Sequence, residues 1–264
     1  MSGTLSNNGL MQEIRPNNNL LSALRREDFD CLAPHLEFTA RSSADLLYRP
    51  GDNVETVYFP CGPSLVSYLV PNDEGQEVET VLVGREGAVG GIVSLGHLPA
   101  YCQILVKYPG EFVKLKVSCL EAAKARSPSI RFMFARYADC LLAQIFQSTA
   151  CNAIHSIERR TAKWILSAMD RTGDHRVPLT QEELAGMLGV GRSYTSRVLK
   201  SFRMEGILGT QRGALLVLDL DALRARSCSC NESVKSHFDI VLKGVYPTEL
   251  EDQSAVPAAA TGGS

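Results

Sequence analysis

Hydrophobic residues follow two different patterns along this chain of 264 residues. Between residues 44 and 117 they form short runs separated by Pro and Gly corners, which is typical of antiparallel strands. From residue 128 onward they recur at spacings of three and four, which is typical of helices with one buried face. The order of the two patterns predicts an α+β protein, in which a small antiparallel β-barrel or jelly roll (a double-stranded β-helix) precedes a helical part.

The first domain is expected to span residues 20–127. Leucines between Leu20 and Leu36 lie at helical spacing and predict a small helical element before the strands. Turn residues at 71–75 and at Pro109–Gly110 predict two hairpins, one on each side of these corners. The runs expected to form strands are 46–48, 54–59, 65–70, 78–83, 101–106 and 111–116.

The longest helical pattern covers residues 128–155. Pro128 suits the first turn of a helix, and no breaker follows before the end of this segment. Apolar side chains cover most of its circumference, so the helix needs cover on more than one side. The barrel can cover one side and a second copy of the helix another, which predicts a parallel homodimer. The alternative is a core helix within one subunit, because the apolar residues do not follow the regular seven-residue repeat of a coiled coil. The residues expected at the dimer contact are Phe134, Tyr137, Leu141 and Ile145.

A capping box predicts the start of a shorter helix near Gln181. Thr180 precedes an apolar periodic segment and Glu183 stands three residues later, so hydroxyl and carboxylate can each bind a free backbone N–H at the helix start. Gly189 is the residue type that ends a helix in the left-handed conformation. The first helix of a helix pair is therefore expected between Gln181 and Gly189.

A second helix is predicted from about Arg192 to Met204, with Val198, Leu199 and Phe202 on its inner face. A β-ribbon with a glycine at its turn follows this helix. Two helices joined by a tight turn and followed by a ribbon describe a winged helix-turn-helix, which is a DNA-binding unit. Together with a supporting helix, this unit is expected to span residues 156–226.

Charge is distributed unevenly along the chain, whose net charge is −2. Residues 156–226 carry 12 Lys and Arg against 8 Asp and Glu, a net +4, which leaves −6 for the remainder. Within residues 192–212, the only acidic residue is Glu205. A basic helix face of this kind suits contact with phosphates and base edges.

Arg192 and Arg197 are the strongest candidates for reading bases. They lie ~140° apart around the predicted helix and ~7.5 Å apart along it, so we expect them to reach different bases. A bidentate contact from arginine to guanine contributes about 1 to 3 kcal/mol of discrimination. Tyr194, between them, could contact DNA or pack on the first helix, and the sequence leaves both open.

The segment Leu-Thr-Gln-Glu-Glu-Leu-Ala-Gly-Met-Leu-Gly-Val-Gly-Arg-Ser-Tyr-Thr-Ser-Arg-Val-Leu-Lys at 179–200 resembles the helix-turn-helix of the Crp-Fnr superfamily of bacterial transcription regulators. The order of barrel, long helix and winged helix resembles that family from about Leu20 to Arg226. The resemblance implies a homodimer that binds a two-fold symmetric site in double-stranded DNA, with the second helix in the major groove, and that contacts RNA polymerase.

By the same resemblance, Arg192 and Arg197 fall on positions that commonly read guanine, and Thr180 falls on a phosphate-contact position. Ser193 stands where relatives often carry an acidic base-reading residue, so the preferred half-site need not be the usual one. The residues expected at the DNA are Thr180, Gln181, Arg192, Ser193, Tyr194, Ser196, Arg197, Lys200 and Arg212.

The stretch 84–104 aligns with the cyclic-nucleotide cassette of that family. Gly91 replaces the glutamate that binds the ribose, and Ala100 and Tyr101 replace the arginine and serine that bind the cyclic phosphate. A buried phosphate without a cation or hydroxyl donor is poorly compensated. The sequence therefore predicts a sensor domain that does not bind cyclic AMP tightly. The alternative is that Arg85 supplies the cation for the cyclic phosphate. The sequence does not identify the effector.

The cysteine and histidine pattern predicts neither a cofactor nor a metal site. Cys31 stands alone near the N-terminus, where an iron–sulfur cluster would need several cysteines, and neither His35 nor His97 lies in a haem-binding pattern. Cys228 and Cys230 form a CxC motif without an evident Cys/His pair to complete four ligands. The long-helix cysteines Cys140 and Cys151 lie on nearly one face, which leaves redox chemistry between subunits open.

The two ends of the chain are expected to lie outside the domains. Residues 1–19 read as a disordered arm without a signal-peptide pattern, and residues 227–264 as a C-terminal extension with one helix near 233–242 and a disordered tail. No run reaches membrane-spanning length, so a cytoplasmic protein is expected. We find no catalytic constellation and expect no enzyme; the alternative function is a ligand-binding or protein-interaction module that no longer reads DNA.

Overall fold

The computed structural model describes residues 15–71, 73, 77–92, 98–177, 179–211 and 213–246. Arg212, His97 and the tail predicted after residue 248 lie outside this part. Within it, an N-terminal pair of sheets is followed by helices and a small third sheet. None of the described helices is long and apolar enough to cross a membrane.

The chain enters the barrel through two short helices, α1 (Asn19–Ala23) and α2 (Arg26–Leu32), and a turn of 3-10 helix. Asn18 is fully buried in front of α1, and its side-chain oxygen accepts from the backbone N–H groups of the first helical turn. Its amide nitrogen donates to the carbonyl oxygens of Pro60 and Gly87 at 2.9 and 2.8 Å. The last residues of the predicted arm, 15–18, therefore pack on the barrel.

Seven strands form the barrel in two antiparallel sheets. In chain order they are β1 (Glu37–Arg41), β2 (Leu46–Tyr48), β3 (Thr56–Pro60), β4 (Leu65–Pro71), β5 (Glu77–Val83), β6 (Gln103–Tyr108) and β7 (Gly110–Lys116). The strand order is β1-β7-β3 in one sheet and β2-β6-β4-β5 in the other. Apolar side chains such as Val66, Val83 and Phe112 fill the space between the sheets, and the predicted antiparallel barrel is confirmed.

One of the two predicted hairpins is wrong. β4 and β5 pair as expected, but β6 pairs with β2 and β4 while β7 pairs with β1 and β3. The chain crosses from one sheet to the other at Gly110, whose φ is 156° and where a Cβ would lie 2.5 Å from Ser64 Oγ and force it to move. Sequence reasoning recognised the corner at Pro109–Gly110 but could not show that it changes sheets.

Beyond the barrel the described chain is largely helical. The elements are α3 (Val117–Arg126), α4 (Pro128–Ile154), α5 (Ile157–Thr172), β8 (Arg176–Val177), α6 (Gln181–Leu188), α7 (Arg192–Met204), β9 (Leu208–Gln211), β10 (Ala214–Val217), α8 (Leu220–Arg226) and α9 (Cys230–Lys243). The long helix, the helix pair, the ribbon and the helix of the C-terminal extension are confirmed. Strands β1 and β8 and helix α3 were not predicted, whereas α5 is the expected supporting helix.

Helix α4 is 27 residues long and lies between the barrel and α9. Ser127 caps it, and Pro128 occupies its first position, where a missing N–H costs nothing. The Tyr137 hydroxyl donates to the carbonyl of Ala88 and accepts from its N–H, both at 2.9 Å. On the side of α9, the Tyr137 and Phe238 rings meet edge to face with centroids 6.4 Å apart.

The residues predicted at the dimer contact fall into two groups. Phe134 and Tyr137 are 1% and 0% exposed, because they lie in the core of their own subunit, so their assignment to a partner contact is corrected. Leu141 is half-buried, and only Ile145 among the four is exposed. Cys140 and Cys151 are also fully buried within the subunit, so their side chains do not face a partner.

A different set of α4 residues faces outward. Phe132, Leu142 and Phe146 are 52%, 48% and 68% exposed. Together with four smaller or polar residues they form a line along the helix, in which successive members are alternately three and four residues apart. This is the spacing of a coiled-coil seam. We call this line the α4 seam: Phe132, Ala135, Asp139, Leu142, Phe146, Thr149 and Ala153, all exposed or half-buried in the single subunit.

Helix α5 connects the helix pair to the barrel. Arg171 near its end is buried, and its Nε lies 2.8 Å from the Glu86 carboxylate of the loop after β5. The same guanidinium donates to Gln144 Oε1 at 3.2 Å and to the carbonyl of Leu82 at 3.2 Å. Leu65 and Leu82 of the barrel belong to the same apolar cluster as α5, α6 and α7, so the C-terminal domain rests on the second sheet.

Candidate nucleic-acid interface

The predicted capping box opens helix α6. Thr180 Oγ1 accepts from the backbone N–H of Glu183 at 3.1 Å, and the Glu183 carboxylate accepts from the backbone N–H of Thr180 at 2.8 Å. The helix ends before Gly189, whose φ of 64° is the left-handed conformation expected there. Glu183 also lies 3.7 Å from Lys107 Nζ on β6, which places the start of α6 against the barrel.

Helix α7 has the boundaries and the inner face that the sequence predicted. It begins at Arg192 and ends at Met204. Leu199 and Phe202 are 1% and 0% exposed and pack against α5, α6 and the wing, and Val198 is half-buried at the edge of this cluster. Thr195 is buried as well, which the sequence did not indicate.

The other face of α7 is exposed and basic. Arg192, Ser193, Tyr194, Arg197 and Lys200 are exposed or nearly so, and Ser196 is half-buried. The Arg197 guanidinium carbon lies 5.0 Å from the centre of the Tyr194 ring, a cation–π contact. Tyr194 therefore does not pack into the core between the helices; it shares the outer face with Arg197.

The one acidic residue in this part of the sequence, Glu205, forms an ion pair with a neighbour. The Glu205 carboxylate pairs with Arg226 and accepts from Ser201 Oγ at 3.0 Å. Arg226 also pairs with Glu158 at 2.5 Å, which fixes the end of α8 against the start of α5. The ion pair with Arg226, which Glu205 shares with Glu158, reduces the negative charge that Glu205 presents beside the α7 face.

The wing is a three-stranded sheet beside α7. β10 pairs with β9 on one side and with β8 on the other, both antiparallel. Arg203 of α7 donates to Thr210 Oγ1 at 3.0 Å, and Arg176 of β8 donates to Gln211 Oε1 at 2.9 Å. These two hydrogen bonds hold β9 to its neighbours, although Arg212, predicted at the DNA, lies outside the described residues.

The barrel differs from a cyclic-nucleotide site at the predicted positions. A Cβ on Gly91 would lie 2.8 Å from Cγ2 of Val117, so a glutamate has no room there without a shift of its neighbours. Tyr101 is 85% exposed. Arg85 lies instead on a pocket of about 180 Å³ outside the barrel, where Glu86, Arg171 and Lys235 also contribute to the wall.

A second polar site lies behind the helix pair, where α4 ends. Cys151 and His155, one helical turn apart, meet Cys228 and Cys230, and the four potential ligand atoms lie within 4.8 Å of one another. The expectation that no Cys/His pair completes the CxC motif is therefore wrong. The i, i+4 spacing of Cys151 and His155 was the available signal, but the two pairs are far apart in the sequence.

The comparisons with known proteins bear on both domains. Residues 159–226 match the Crp-like helix-turn-helix domain, which covers α5 through α8. The search of curated proteins found no match.

Solved structures share the overall fold. FixK2 from Bradyrhizobium japonicum is similar at a TM-score of 0.63 and 16% identity, over 73% of this chain and 98% of that one. The c-di-GMP-responsive regulator CLP from Xanthomonas campestris has a TM-score of 0.61 and 16% identity, over 74% and 100%. A transcriptional regulator of the CRP family from Thermus thermophilus has a TM-score of 0.60 and 19% identity, over 71% and 95%.

The C-terminal domain is a Crp-like helix-turn-helix domain. The order of antiparallel barrel, long helix and helix-turn-helix gives the whole chain the fold of the solved regulators named above.

Proposed function

We propose that this chain is a sequence-specific, homodimeric transcription regulator that inserts α7 into the major groove of DNA. The observation that carries the proposal is the outer face of α7, where Arg192, Arg197 and Lys200 stand together and the nearby Glu205 is already paired. Guanidinium groups at such positions can bind guanine edges, while ammonium groups bind phosphates. Such a regulator acts on chromosomal DNA, so we place it in the bacterial cytoplasm.

Other exposed polar groups support α7 in this role. Thr180 is exposed at the N-terminus of α6, where backbone N–H groups and the helix dipole favour a phosphate. Gln181 follows at the same helix end and is half-buried. Tyr194 restrains Arg197 through the cation–π contact, which reduces the side-chain entropy that the arginine loses on binding.

The homodimer is proposed to form through the α4 seam. In a parallel pair the large side chains of Phe132, Leu142 and Phe146 meet their symmetry mates. The two copies of α7 would then address half-sites about one turn of DNA apart. Members of the family implied by the sequence contact RNA polymerase, and we extend that role to this chain without assigning a surface.

The sensor barrel is proposed to respond to something other than cyclic AMP. A side chain at position 91 would have to displace Val117, and apolar side chains fill the barrel. Among the described residues, this apolar core offers an anionic ligand no charged partner in exchange for its lost hydration. The effector remains unassigned.

Selection from a library of randomised DNA duplexes tests the proposal. The wild-type protein should enrich a two-fold symmetric site, and a variant with Arg192→Ala and Arg197→Ala should enrich none. Arg224→Ala is a suitable control, because this arginine belongs to α8 rather than α7 and 58% of its side chain is exposed. Failure of the folded wild-type protein to enrich any sequence would favour the interaction-module alternative.

A further inference from the structure

Three thiols and one imidazole converge at the junction of the two domains. Cys151 and His155 project from the end of α4, while Cys228 lies between α8 and α9 and Cys230 is the first residue of α9. The thiols are 0%, 6% and 3% exposed and form a small cluster of their own. This set comes from two distant segments, since Cys151 and Cys228 are 77 residues apart in the sequence.

The distances between these groups fit four ligands around one ion. Zinc binds sulfur at ~2.3 Å and imidazole nitrogen at ~2.0 to 2.1 Å, so tetrahedral geometry puts two sulfur ligands about 3.8 Å apart and sulfur about 3.6 Å from nitrogen. Cys151 Sγ lies 3.7 Å from Cys228 Sγ. Cys230 Sγ lies 3.5 Å from His155 Nδ1.

The surrounding charges suit a metal–thiolate centre. Lys163 and Arg160 of α5 are 6% and 7% exposed beside the cluster. Lys163 lines the same small cavity as Gln147 and Cys230. Three thiolates and one Zn²⁺ carry a net charge of −1, which would compensate a buried cation that neutral thiols leave uncompensated.

A hydrogen bond to one sulfur adds a typical outer-sphere contact. Gln147 Nε2 donates to Cys230 Sγ at 3.1 Å from the preceding turn of α4. Metal ligands are commonly held by such second contacts, which orient the ligand and tune its charge. The donor points at the sulfur rather than at a backbone oxygen, as expected for a thiolate ligand.

We propose that Cys151, His155, Cys228 and Cys230 bind one Zn²⁺ ion as a closed, structural Cys₃His site. An iron–sulfur cluster would place several iron and sulfide atoms between its ligands, and ligand atoms within 4.8 Å leave room for a single ion. A disulfide would need its sulfurs at ~2.05 Å and would use only two of the four groups.

The position of the site assigns it a mechanical role. His155 caps the end of α4, and Ser156 caps the start of α5, so the ligands flank the hinge between sensor and DNA-binding domains. Asn231 and Lys235 of α9 contact Asp170 of α5 at 2.8 and 3.2 Å. Zinc would join the end of α4 to the α8–α9 junction and thereby restrict rotation of the DNA-binding domain about the hinge. This site does not depend on the proposed DNA-binding function.

Metal analysis of the full chain, purified without chelator, tests the site. We expect about one zinc per chain by mass spectrometry of the metal, and tetrahedral Co²⁺ absorption with thiolate charge-transfer bands after replacement of zinc by cobalt. Cys228→Ser and Cys230→Ser should each remove the metal. Cys140→Ser is the matched control, because Cys140 is a fully buried cysteine of α4 outside the cluster, and it should keep the zinc.

Two further measurements keep the test informative if a ligand variant does not fold. Gln147→Met leaves all four ligands in place and should weaken zinc binding about 10- to 100-fold. In the folded wild-type protein, removal of zinc by a chelator should make three additional thiols reactive towards a thiol reagent. Three results would overturn the proposal. The first is a protein that binds no zinc even after incubation with Zn²⁺, and the second is a protein that contains iron and sulfide. The third is a Cys151–Cys228 disulfide in freshly purified protein.

Discussion

The α4 seam provides the most quantitative prediction about assembly. Phe146 is 68% exposed in the single subunit. For a phenylalanine of ~200 Å², this leaves about 140 Å² to be buried, worth about 3 kcal/mol per subunit at ~25 cal/mol per Å². Phe146→Ala keeps only the β-carbon, so we expect a loss of about 2 to 3 kcal/mol per subunit. Because two copies contribute, the dimer should lose about 4 to 6 kcal/mol, which raises its dissociation constant about 10³- to 10⁴-fold.

Sedimentation equilibrium over a range of protein concentrations measures this change. Circular dichroism of the same samples should show an unchanged helical content, since Phe146 is not part of the subunit core. Ile240→Ala is the matched control, because Ile240 is 70% exposed on α9 and lies off the seam. It should leave the dissociation constant within about threefold of the wild type, since surface substitutions away from an interface usually change the free energy by less than ~0.5 kcal/mol.

The reasoning would be refuted by a Phe146→Ala dimer as stable as the wild type. A wild-type protein that stays monomeric at all concentrations would refute it as well. If Ile240→Ala dissociates the dimer instead, α9 rather than the α4 seam forms the contact.

Three further predictions concern the barrel and the start of α6. Tyr137→Phe leaves the buried N–H and carbonyl of Ala88 without their partner, so chemical denaturation should show a free energy of unfolding lower by about 1 to 3 kcal/mol. The control Tyr101→Phe, at an exposed position, should not change this free energy measurably. Thr180→Ala removes the helix cap and should lower the free energy of unfolding by about 1 kcal/mol, whereas Thr180→Ser should keep the wild-type value. An alanine variant as stable as the wild type would contradict the role of the cap. Isothermal titration calorimetry with cyclic AMP should show no micromolar binding, and a saturable isotherm in that range would overturn our account of the barrel.

The sequence predicted the helix-turn-helix in most detail because its signals are local. The capping pair Thr180 and Glu183, the left-handed Gly189 and the inner residues Leu199 and Phe202 each depend on neighbours within a few positions. Strand positions were also visible from short apolar runs. Their pairing was less predictable, because nothing local to Gly110 shows that the chain moves to the other sheet there.

The exposed α4 seam and the cysteine cluster were missed because both depend on residues that are distant in the sequence. Helix α4 contacts the barrel on one side and α9 on another, so its apolar residues belong to several interfaces, and the spacing of the α4 seam is obscured in the sequence. Phe134 and Phe146 look alike in the sequence, yet one is buried in its own subunit and the other is exposed. Cys151 meets Cys228 only because α8 and α9 return to the end of α4.

Fluorescence anisotropy with variant protein and variant DNA tests most directly whether α7 reads bases through its arginines. Wild-type protein should bind the selected duplex about 5- to 150-fold more tightly per half-site than a duplex with the contacted guanine replaced, which corresponds to about 1 to 3 kcal/mol. Arg197→Ala should bind the selected duplex more weakly and should no longer distinguish the two duplexes at one position, and Arg192→Ala should behave likewise at another. If both variants keep the full wild-type discrimination at every position, α7 does not read the bases through these residues.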